Sequence, residues 1–411
     1  MDEKQLPTLD SATKKVFISG GGPVGLMLAI GLVQKGFSVI LAEKNADFAS
    51  EGAAHHGSFD GRVLALTYAS KLFLESLNLW SSLQSKVTEI HSVHVSQKGY
   101  LGVTHLHASE MGVPALGYSI SGSDLGQVLW QACQQLQAAD QACLQILCPA
   151  ELIDLQQDES AVQLSLQTEF GSQTLDVDFV VGADGTQSKV RELLGLPIEI
   201  KDYDAYGVIA KIETELAPNH WAYERFTTQG PVALLPMGGH ASKAVLVCES
   251  KDIDTVKSLD DTAFMALFAE KMGERLGAFT QVSERVFYPL KETYVPQMVQ
   301  GRVVLMGNAA HTQHPVAAQG LNLGIADIEA FLQQANHLIN PEMDVAPVLE
   351  SYAKQRAEHH QKIMGLTDGL IELFQAPSPV IGHLRGIGLM AMQSLSPLRK
   401  RFSKLGMGIN Q

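Results

Sequence analysis

A glycine-rich turn near the start of the chain constrains the fold more than any other feature. The turn, Gly20-Gly21-Gly22-Pro23-Val24-Gly25, follows the apolar run 16–19 and leads into an apolar stretch that ends near Lys35. A second apolar run, 37–42, ends at Glu43. A strand, a GxGxxG turn, a helix and a second strand ending in an acid together predict the βαβ unit that binds a dinucleotide.

The residues of this unit have separate physical roles. The glycines permit the tight turn, the approach of a pyrophosphate and the close packing of helix on strand, in the order Gly20, Gly22 and Gly25. The first helical turn starts with Pro23, which has no N–H group, and Val24. The unpaired N–H groups that follow and the positive dipole end face the phosphates. We expect Glu43 to accept hydrogen bonds from ribose hydroxyls. The pattern does not distinguish FAD from NAD.

Composition limits the remaining possibilities. The chain has 411 residues, of which 45% are hydrophobic and 18% charged, which is typical of a globular protein of two or three domains. The net charge of −14 argues against nucleic acid as a partner. The polar N-terminus is unlike a signal peptide, and no apolar run reaches the length of a membrane span. We therefore predict a cytoplasmic protein.

Two later stretches repeat the pattern of a strand followed by a glycine turn. In residues 178–195 an apolar strand leads to Asp184 and Gly185 and then to a short helix. In residues 303–327 the run 303–306 leads to Gly307, Asn308 and a polar segment, and a helix is predicted from Leu321 to about residue 332. Small residues and amides predominate there, which suits a segment that wraps a bound group.

The three turns together resemble the marks of the flavin-dependent aromatic hydroxylases of the para-hydroxybenzoate hydroxylase fold. Those marks are GxGxxG, a DG motif and a GD motif, which match Gly20–Gly25, Asp184-Gly185 and Gly307-Asn308. The stretches 59–70, 224–237, 307–324 and 367–374 are similar to the ubiquinone-biosynthesis hydroxylases, above all to the branch that acts on 2-polyprenyl-6-methoxyphenol. Asn commonly replaces Asp in the GD motif of that branch, so Asn308 does not argue against function.

The resemblance implies an α/β fold with a Rossmann-type FAD-binding domain, an inserted β-sheet substrate domain and C-terminal helices. The FAD-binding domain is predicted to be discontinuous, with residues 14–85, 108–198 and 288–345. Residues 86–107 and 199–287 are assigned to the substrate domain, and residues 346–411 to the helical region. Alternating apolar and polar residues in 206–250 favour strands there.

The resemblance also implies an FAD site built from residues far apart in the chain. Arg62 is expected to be a cationic contact beside the flavin, the alternative being a surface arginine at a helix start. Gln127 is expected to open a helix against the FAD phosphates. His311 and His314 are assigned to hydrogen bonding and shape in preference to acid–base chemistry, and no metal site is predicted. The segment that wraps the flavin contributes Gly307, Asn308, Pro315, Gln319, Gly320, Leu321 and Asn322.

In the family reaction NAD(P)H reduces FAD, the reduced flavin captures O2 as a C4a-hydroperoxide, and one oxygen atom passes to a phenol ring. The flavin carries the chemistry, so no catalytic side chain is assigned. NAD(P)H is expected as a co-substrate without a Rossmann fingerprint of its own. The predicted substrate is a polyprenylphenol.

Two other functions stay open. One is a same-fold flavoenzyme acting on another phenol, although the Trp-x-Trp-x-Ile motif of halogenases is absent from Trp80, Trp130 and Trp221. The other is a non-catalytic flavin-binding subunit of a quinone-biosynthesis assembly. Consumption of NAD(P)H in the presence of a prenylphenol distinguishes an enzyme from such a subunit.

The C-terminal segment 376–411 contains five basic residues and no acid. Its apolar residues, among them Leu384 and Ile387, recur at near-helical spacing. A basic amphipathic segment suits the inner surface of an anionic membrane or a partner in a quinone-biosynthesis assembly. The alternative is that the same apolar residues pack on the protein's own core.

Overall fold

The computed structural model describes residues 14–45, 62–313, 319–376 and 378–409, and the elements below lie in these ranges. In chain order the strands are β1 (Lys15–Ser19), β2 (Ser38–Ala42), β3 (Val63–Thr67), β4 (Thr88–Ile90), β5 (Ser92–Gln97), β6 (Val103–His107), β7 (Gly117–Ser121), β8 (Leu144–Leu147), β9 (Ala150–Gln157), β10 (Val162–Thr168), β11 (Gly171–Val177), β12 (Phe179–Gly182), β13 (Glu199–Thr214), β14 (Trp221–Thr227), β15 (Gly230–Pro236), β16 (Ala241–Glu249), β17 (Phe279–Val282), β18 (Val286–Tyr294), β19 (Val299–Gln300), β20 (Val303–Leu305) and β21 (His311–Thr312). The α-helices are α1 (Pro23–Gln34), α2 (Tyr68–Ser76), α3 (Trp80–Leu83), α4 (Ala108–Met111), α5 (Gly122–Ala139), α6 (Lys189–Leu193), α7 (Ile253–Ser258), α8 (Asp261–Met272), α9 (Gln319–Ala335), α10 (Val345–Gln375), α11 (Pro379–Ser394) and α12 (Ser396–Gly406).

A six-stranded sheet forms the centre of the first layer. Its order is β19-β20-β12-β1-β2-β8, and every pair is parallel except β19 with β20. The central strands are continuously apolar because both faces are buried: α1 packs against β1 and β2, and the three-stranded antiparallel sheet β11-β10-β9 also packs against these two strands. Since β1, β12 and β20 are neighbours and parallel, their carboxyl ends meet at one edge of the sheet. The three glycine turns of the sequence therefore lie together.

A large, mainly antiparallel sheet forms the second layer, with the order β21-β18-β13-β16-β15-β14-β5-β6 and with β17 paired to β13. Side chains alternate along its strands. On β13, β15 and β16 one set, including Val208, Val232 and Leu246, packs against Phe264 and Phe268 of α8. The other set faces away from α8, and it lines the cavity described below. This sheet is the inserted sheet that the sequence predicts.

The predicted boundary between residues 287 and 288 falls inside a strand of this sheet. β18 continues to Tyr294, paired with β13 up to Glu199, and β21 adds His311 and Thr312 beside it. The pairing of β18 with β13 therefore carries the sheet across the predicted boundary. The division into domains remains a prediction.

The C-terminal region is helical, as predicted, and consists of α10, α11 and α12. The helix expected to start at Leu321 begins two residues earlier, at Gln319. Among the described helices, none combines the length and the apolar character that crossing a membrane requires.

Candidate functional site

A cavity of about 850 Å³ lies between the glycine turns and the second sheet. One end is lined by the turns after β1, β12 and β20, together with the first residues of α1 and α9. The opposite wall consists of side chains from β5, β13, β14, β15 and β16, and residues of α12 close one side. The cavity thus has a glycine-rich, polar end and a largely apolar wall.

The first turn has the geometry that its glycines predict. Gly20 has a φ of +109°, and a Cβ atom there would lie 2.5 Å from the carbonyl oxygen of Ala183. A Cβ atom on Gly25 would lie 1.9 Å from the carbonyl oxygen of Gly20. Gly22 has ordinary extended geometry, with φ −72° and ψ 179°, and it lines the cavity at the start of α1. The lack of a side chain at Gly22 therefore leaves the cavity open at the start of α1. At Gly20 and Gly25 the lack of a side chain instead allows two backbone segments to approach each other closely.

Glu43 lines the cavity, and its carboxylate accepts hydrogen bonds from other groups of the protein. Its Oε2 accepts a hydrogen bond from the N–H of Gly21 at 2.7 Å, and its Oε1 accepts from the backbone N–H and the side-chain amide of Asn45, both at 2.9 Å. The carboxylate thereby fixes the glycine turn. Each carboxylate oxygen can accept more than one hydrogen bond, so the expected ribose contact remains a prediction.

The second turn places Asp184 in the lining of the cavity. Asp184 Oδ2 accepts from the first two N–H groups of α6, those of Lys189 at 2.7 Å and Val190 at 3.2 Å. The other oxygen, Oδ1, is buried and has no hydrogen-bond partner among the described residues. Gly185, with φ +83°, also lines the cavity. A ligand hydroxyl at Oδ1 would satisfy the oxygen that the protein leaves unpaired.

The third turn packs directly on the first. Gly307 has a φ of +58°, and a Cβ atom there would lie 3.0 Å from Val24 of α1. Asn308 is exposed and lines the cavity. Arg191 joins this turn to the second one, because its guanidinium donates to the carbonyl oxygens of Ala309 at 3.0 Å and Thr186 at 2.7 Å.

The amino end of α9 also opens into the cavity, where Gly320, Leu321 and Asn322 line it. The Asn322 amide is engaged with protein groups: Oδ1 accepts from Thr67 N at 2.9 Å and Ser70 Oγ at 2.7 Å, and Nδ2 donates to Ala65 O at 2.8 Å. Asn322 therefore fastens α9 to β3 and α2, and its flavin contact remains a prediction.

Other predicted residues have mixed outcomes. Arg62 lines the cavity just before β3, with its guanidinium 5.0 Å from the ring centre of Tyr288, so it is not at a helix start. Gln127 lies within α5 with an exposed side chain, and it is not among the cavity-lining residues; its phosphate contact remains a prediction. Pro315, His314 and the side chain of Gln319 lie outside the described part.

Sequence reasoning did not find a buried polar cluster next to the site. The carboxylate of Asp327 accepts from His311 at 2.6 Å, His360 at 2.7 Å and Arg356 at 2.6 Å. Burial alone would raise the pKa of Asp327, but the charges and hydrogen bonds of His360 and His311 hold it well below its usual range. His311 thus has a hydrogen-bonding role, in the segment that follows Asn308.

The cluster has residue types that bind metals, but its geometry is that of a hydrogen-bonded network. The histidine nitrogens lie at hydrogen-bond distance from the carboxylate, and the Arg356 cation occupies the same oxygen as His360. A divalent cation would have to displace all three donors. No signal of local spacing marks these residues, since His360 lies 33 positions beyond Asp327.

The polar end of the cavity fits FAD. Two helix amino ends, the glycines of three turns and the unpaired Oδ1 of Asp184 suit a pyrophosphate, a sugar chain and an electron-rich ring. Bound there, FAD would supply the redox chemistry and the activation of O2. The chain's own residues would hold the cofactor and exclude water.

Comparison with known proteins agrees with this geometry. Residues 74–367, more than half of the chain, match the family model described as an FAD binding domain, and residues 15–127 match that of the FAD dependent oxidoreductases. Among solved structures, p-nitrophenol 4-monooxygenase PnpA of Pseudomonas putida superposes with a TM-score of 0.77 over 97% of this chain and 99% of its own, at 14% identity. PqsL of Pseudomonas aeruginosa gives 0.75, at 20% identity over 92% and 99% of the two chains. The predicted fold is confirmed.

The curated relatives are more specific. Ubiquinone hydroxylase UbiL of Rhodospirillum rubrum is 30% identical over 406 residues, which cover 98% of this chain and 92% of the relative. The 3-demethoxyubiquinol 3-hydroxylase of Escherichia coli is 29% identical over 96% of this chain and 98% of its own. The human ubiquinone biosynthesis monooxygenase COQ6 is 29% identical over 56% of each chain. The chain belongs to the family of FAD-dependent monooxygenases of ubiquinone biosynthesis.

Proposed function

We propose that this protein hydroxylates a polyprenyl-methoxyphenol in ubiquinone biosynthesis, with FAD as cofactor and NAD(P)H and O2 as co-substrates. The observation that carries the proposal is the cavity itself. Its glycine-rich end suits FAD, and its other wall is an apolar sheet surface against which an aromatic ring and a prenyl tail would be desolvated. The names of the relatives in ubiquinone biosynthesis support the same substrate class.

The proposed division of labour assigns no protein group to the redox step. The discontinuous FAD-binding domain holds the cofactor, and the inserted sheet holds the phenol. NAD(P)H would bind transiently, and one feature supports this: the stretch 236–240 forms the end of β15 and a turn, after which β16 begins with no intervening helix. A nucleotide-binding βα turn is therefore absent at that place.

The experiment is turnover by the purified protein. Loaded with FAD, it is expected to oxidise NAD(P)H faster when a short-chain 2-prenyl-6-methoxyphenol is added, and to incorporate one atom of ¹⁸O2 into the phenol. Mass analysis of the quinone precursors in a deletion strain gives the natural substrate. NAD(P)H oxidation without an oxygenated product from any prenylphenol would contradict the proposal, and a complete lack of NAD(P)H oxidation would favour a non-catalytic flavin subunit.

We also propose that the C-terminal helices dock on an anionic membrane surface, where such a substrate resides. On α11, Val380, Leu384 and Ile387 share one helix face and are 68%, 60% and 55% exposed. On α12, the exposed basic residues are Lys400, Arg401 and Lys404. An exposed apolar face next to exposed cations suits the interface of an anionic bilayer.

The inner face of the same helices supports a route from membrane to site. Phe402, Ser403 and Met407 of the α12 region line the cavity, as does Leu370 of α10. The cations of the proposed docking surface and part of the cavity wall are thus on two sides of α12, and the exposed apolar face belongs to the neighbouring α11. A prenyl tail entering beside α12 would pass from bilayer to cavity over a short distance.

A further inference from the structure

The sheet wall of the cavity carries one carboxyl group in an otherwise apolar row. Strand register places five cavity-lining side chains side by side across β13, β16, β15, β14 and β5, in the order Ile209, Val245, Ala233, Glu224 and Val95. Along β14, Ala222 and Phe226 face the cavity on either side of Glu224. Placing a carboxyl group among methyl and phenyl groups costs stability, and an apolar residue at this position would stabilise the sheet more.

Among the described residues, no cation pairs with Glu224. Its carboxyl accepts no hydrogen bond from the residues that the structure describes. The adjacent Arg225 projects to the other face of the strand, where its guanidinium donates to the carbonyl oxygen of Met272 at 2.7 Å. Two other cations line the cavity and bind elsewhere: Lys243 donates to the carbonyl oxygen of Val63 at 2.6 Å, and Arg62 lies over the ring of Tyr288.

Burial raises the pKa of Glu224 to about 8, and no charged neighbour contributes to the shift. Among the described residues, the ionisable groups that share the cavity with it are Tyr223, Lys243 and Arg62 near the sheet, Glu151 on β9, and Glu43, Lys44, Asp184 and Lys189 at the glycine turns. A carboxyl that titrates near neutral pH inside a cavity is typical of a group that handles protons.

We propose that Glu224 binds the phenolic hydroxyl of the substrate and removes its proton, acting as the general base of the hydroxylation. This rests on the proposed function. The phenol O–H bond breaks and its electron pair stays on the ring oxygen, while the carboxylate of Glu224 gains the proton. The phenolate makes the ring more electron-rich towards the incoming oxygen atom. The ring hydrogen that the new hydroxyl replaces leaves as a proton and ends, with the second oxygen atom of O2, in water. The proton held by Glu224 returns to the phenolate oxygen of the product, which regenerates the carboxylate.

The raised pKa suits this transfer. A phenol is a much weaker acid than an ordinary glutamate side chain, and the raised pKa of Glu224 makes the proton transfer from phenol to carboxylate less unfavourable. Because Glu224 must be ionised to accept the proton, kcat/KM is expected to rise with pH through a value near 8.

The test compares Glu224→Gln with the wild type, using a short-chain 2-prenyl-6-methoxyphenol as the probe. Glu213→Gln, on β13 of the same sheet and outside the cavity lining, is the matched control. The Gln variant is expected to retain FAD and to oxidise NAD(P)H, yet to hydroxylate about 100-fold more slowly, with hydrogen peroxide as the main product and no rise of kcat/KM near pH 8. Glu224→Asp is expected to recover part of the rate and the pH dependence.

A second measurement does not depend on turnover. Difference infrared spectra of the FAD-loaded wild type, recorded without phenol across pH 6 to 9, are expected to show a protonated-carboxyl band that disappears near pH 8 and is missing from Glu224→Gln. An active wild type with a Gln variant of equal rate and the same pH profile would overturn the role of Glu224 alone. A wild type that hydroxylates no prenylphenol would overturn the proposed function and this role together.

Discussion

Asp327 on α9 accepts a 2.6 Å hydrogen bond from His311 on β21, in the segment that follows the Gly307-Asn308 turn. The same carboxylate binds His360 and Arg356 on α10. One buried acid thus joins the third glycine turn, the helix that opens into the cavity and the long helix of the C-terminal region. The position of the cofactor-binding turn depends on this contact between parts of the chain that are distant in sequence.

Replacing Asp327 by Asn is expected to destabilise the protein by about 3–5 kcal/mol, because it leaves the buried Arg356 cation without its counter-charge. Urea unfolding at neutral pH measures the difference. Glu350→Gln on the exposed face of α10 is the control and is expected to change stability little. A urea midpoint for Asp327→Asn within error of that of the wild type would show that the charge of Asp327 does not stabilise the folded protein.

The sequence predicts some parts of this site well because their requirements are local. Gly20 and Gly307 need positive φ values, and Gly25 needs space for a carbonyl oxygen, so residue type and spacing are sufficient. Glu224 is different. An alternating pattern predicts its strand, but only the register with β15 and β5 shows that it faces the cavity. The Asp327 cluster is brought together by tertiary packing alone, so no regular spacing in the sequence marks its residues.

Gly22→Val is expected to keep the fold and lose FAD. The backbone at Gly22 is extended, which valine tolerates, but its side chain would occupy the cavity at the amino end of α1. Gly365→Val, in the exposed middle of α10, adds the same atoms where nothing lies within 4 Å of the Cβ position. FAD content per protein, read from absorbance at about 450 nm by analogy with flavoproteins generally, should fall only in the first variant. Equal FAD content would refute the pyrophosphate assignment.

Asn308 tests whether the third turn needs an uncharged partner. Asn308→Asp is expected to bind FAD, because a carboxylate accepts the same hydrogen bonds from the sugar chain. Asn308→Leu removes them and should weaken FAD binding about tenfold, equivalent to about 1.4 kcal/mol. Titration of the apoprotein with FAD, followed by flavin fluorescence, gives both constants. Loss of FAD in the Asp variant alone would show that the site rejects negative charge.

Acid is expected to destabilise the second sheet through His94. Burial, followed by Arg275, His105 and Arg225, lowers the pKa of His94 to about 4. Below pH 6.5 His94 binds a proton in the unfolded chain but stays neutral in the folded protein. The free energy of unfolding therefore decreases as the pH is lowered, by up to about 3 kcal/mol at pH 4. In His94→Gln this dependence should be weaker, whereas substitution of the exposed His383 should leave it unchanged. Urea midpoints between pH 4.5 and 7.5 measure the slope.

The C-terminal helices allow the proposed membrane contact to be separated from packing. Arg399 is an inward residue, because its guanidinium donates to both carboxylate oxygens of Glu110, at 2.7 and 2.6 Å. Arg385 is also buried. Of the basic residues in this segment, Lys400, Arg401 and Lys404 are the exposed ones. Changing Arg399 would therefore disturb the attachment of α12, and its effect on membrane binding would be ambiguous.

Changing Lys400, Arg401 and Lys404 together to Gln is expected to weaken binding to phosphatidylglycerol-containing vesicles by roughly 100-fold at low salt, since each cation contributes about 1 kcal/mol near an anionic surface. The matched control removes three exposed cations on or next to the second sheet, Lys201 and Lys211 on β13 and Lys251 just after β16. Co-sedimentation gives the partition constants, with pure phosphatidylcholine vesicles as the uncharged reference. Because both triple variants have the same net charge, a difference between them reports the place of the cations and not their number. Equal binding by the two variants, or no binding by the wild type, would assign the exposed apolar face of α11 to another role.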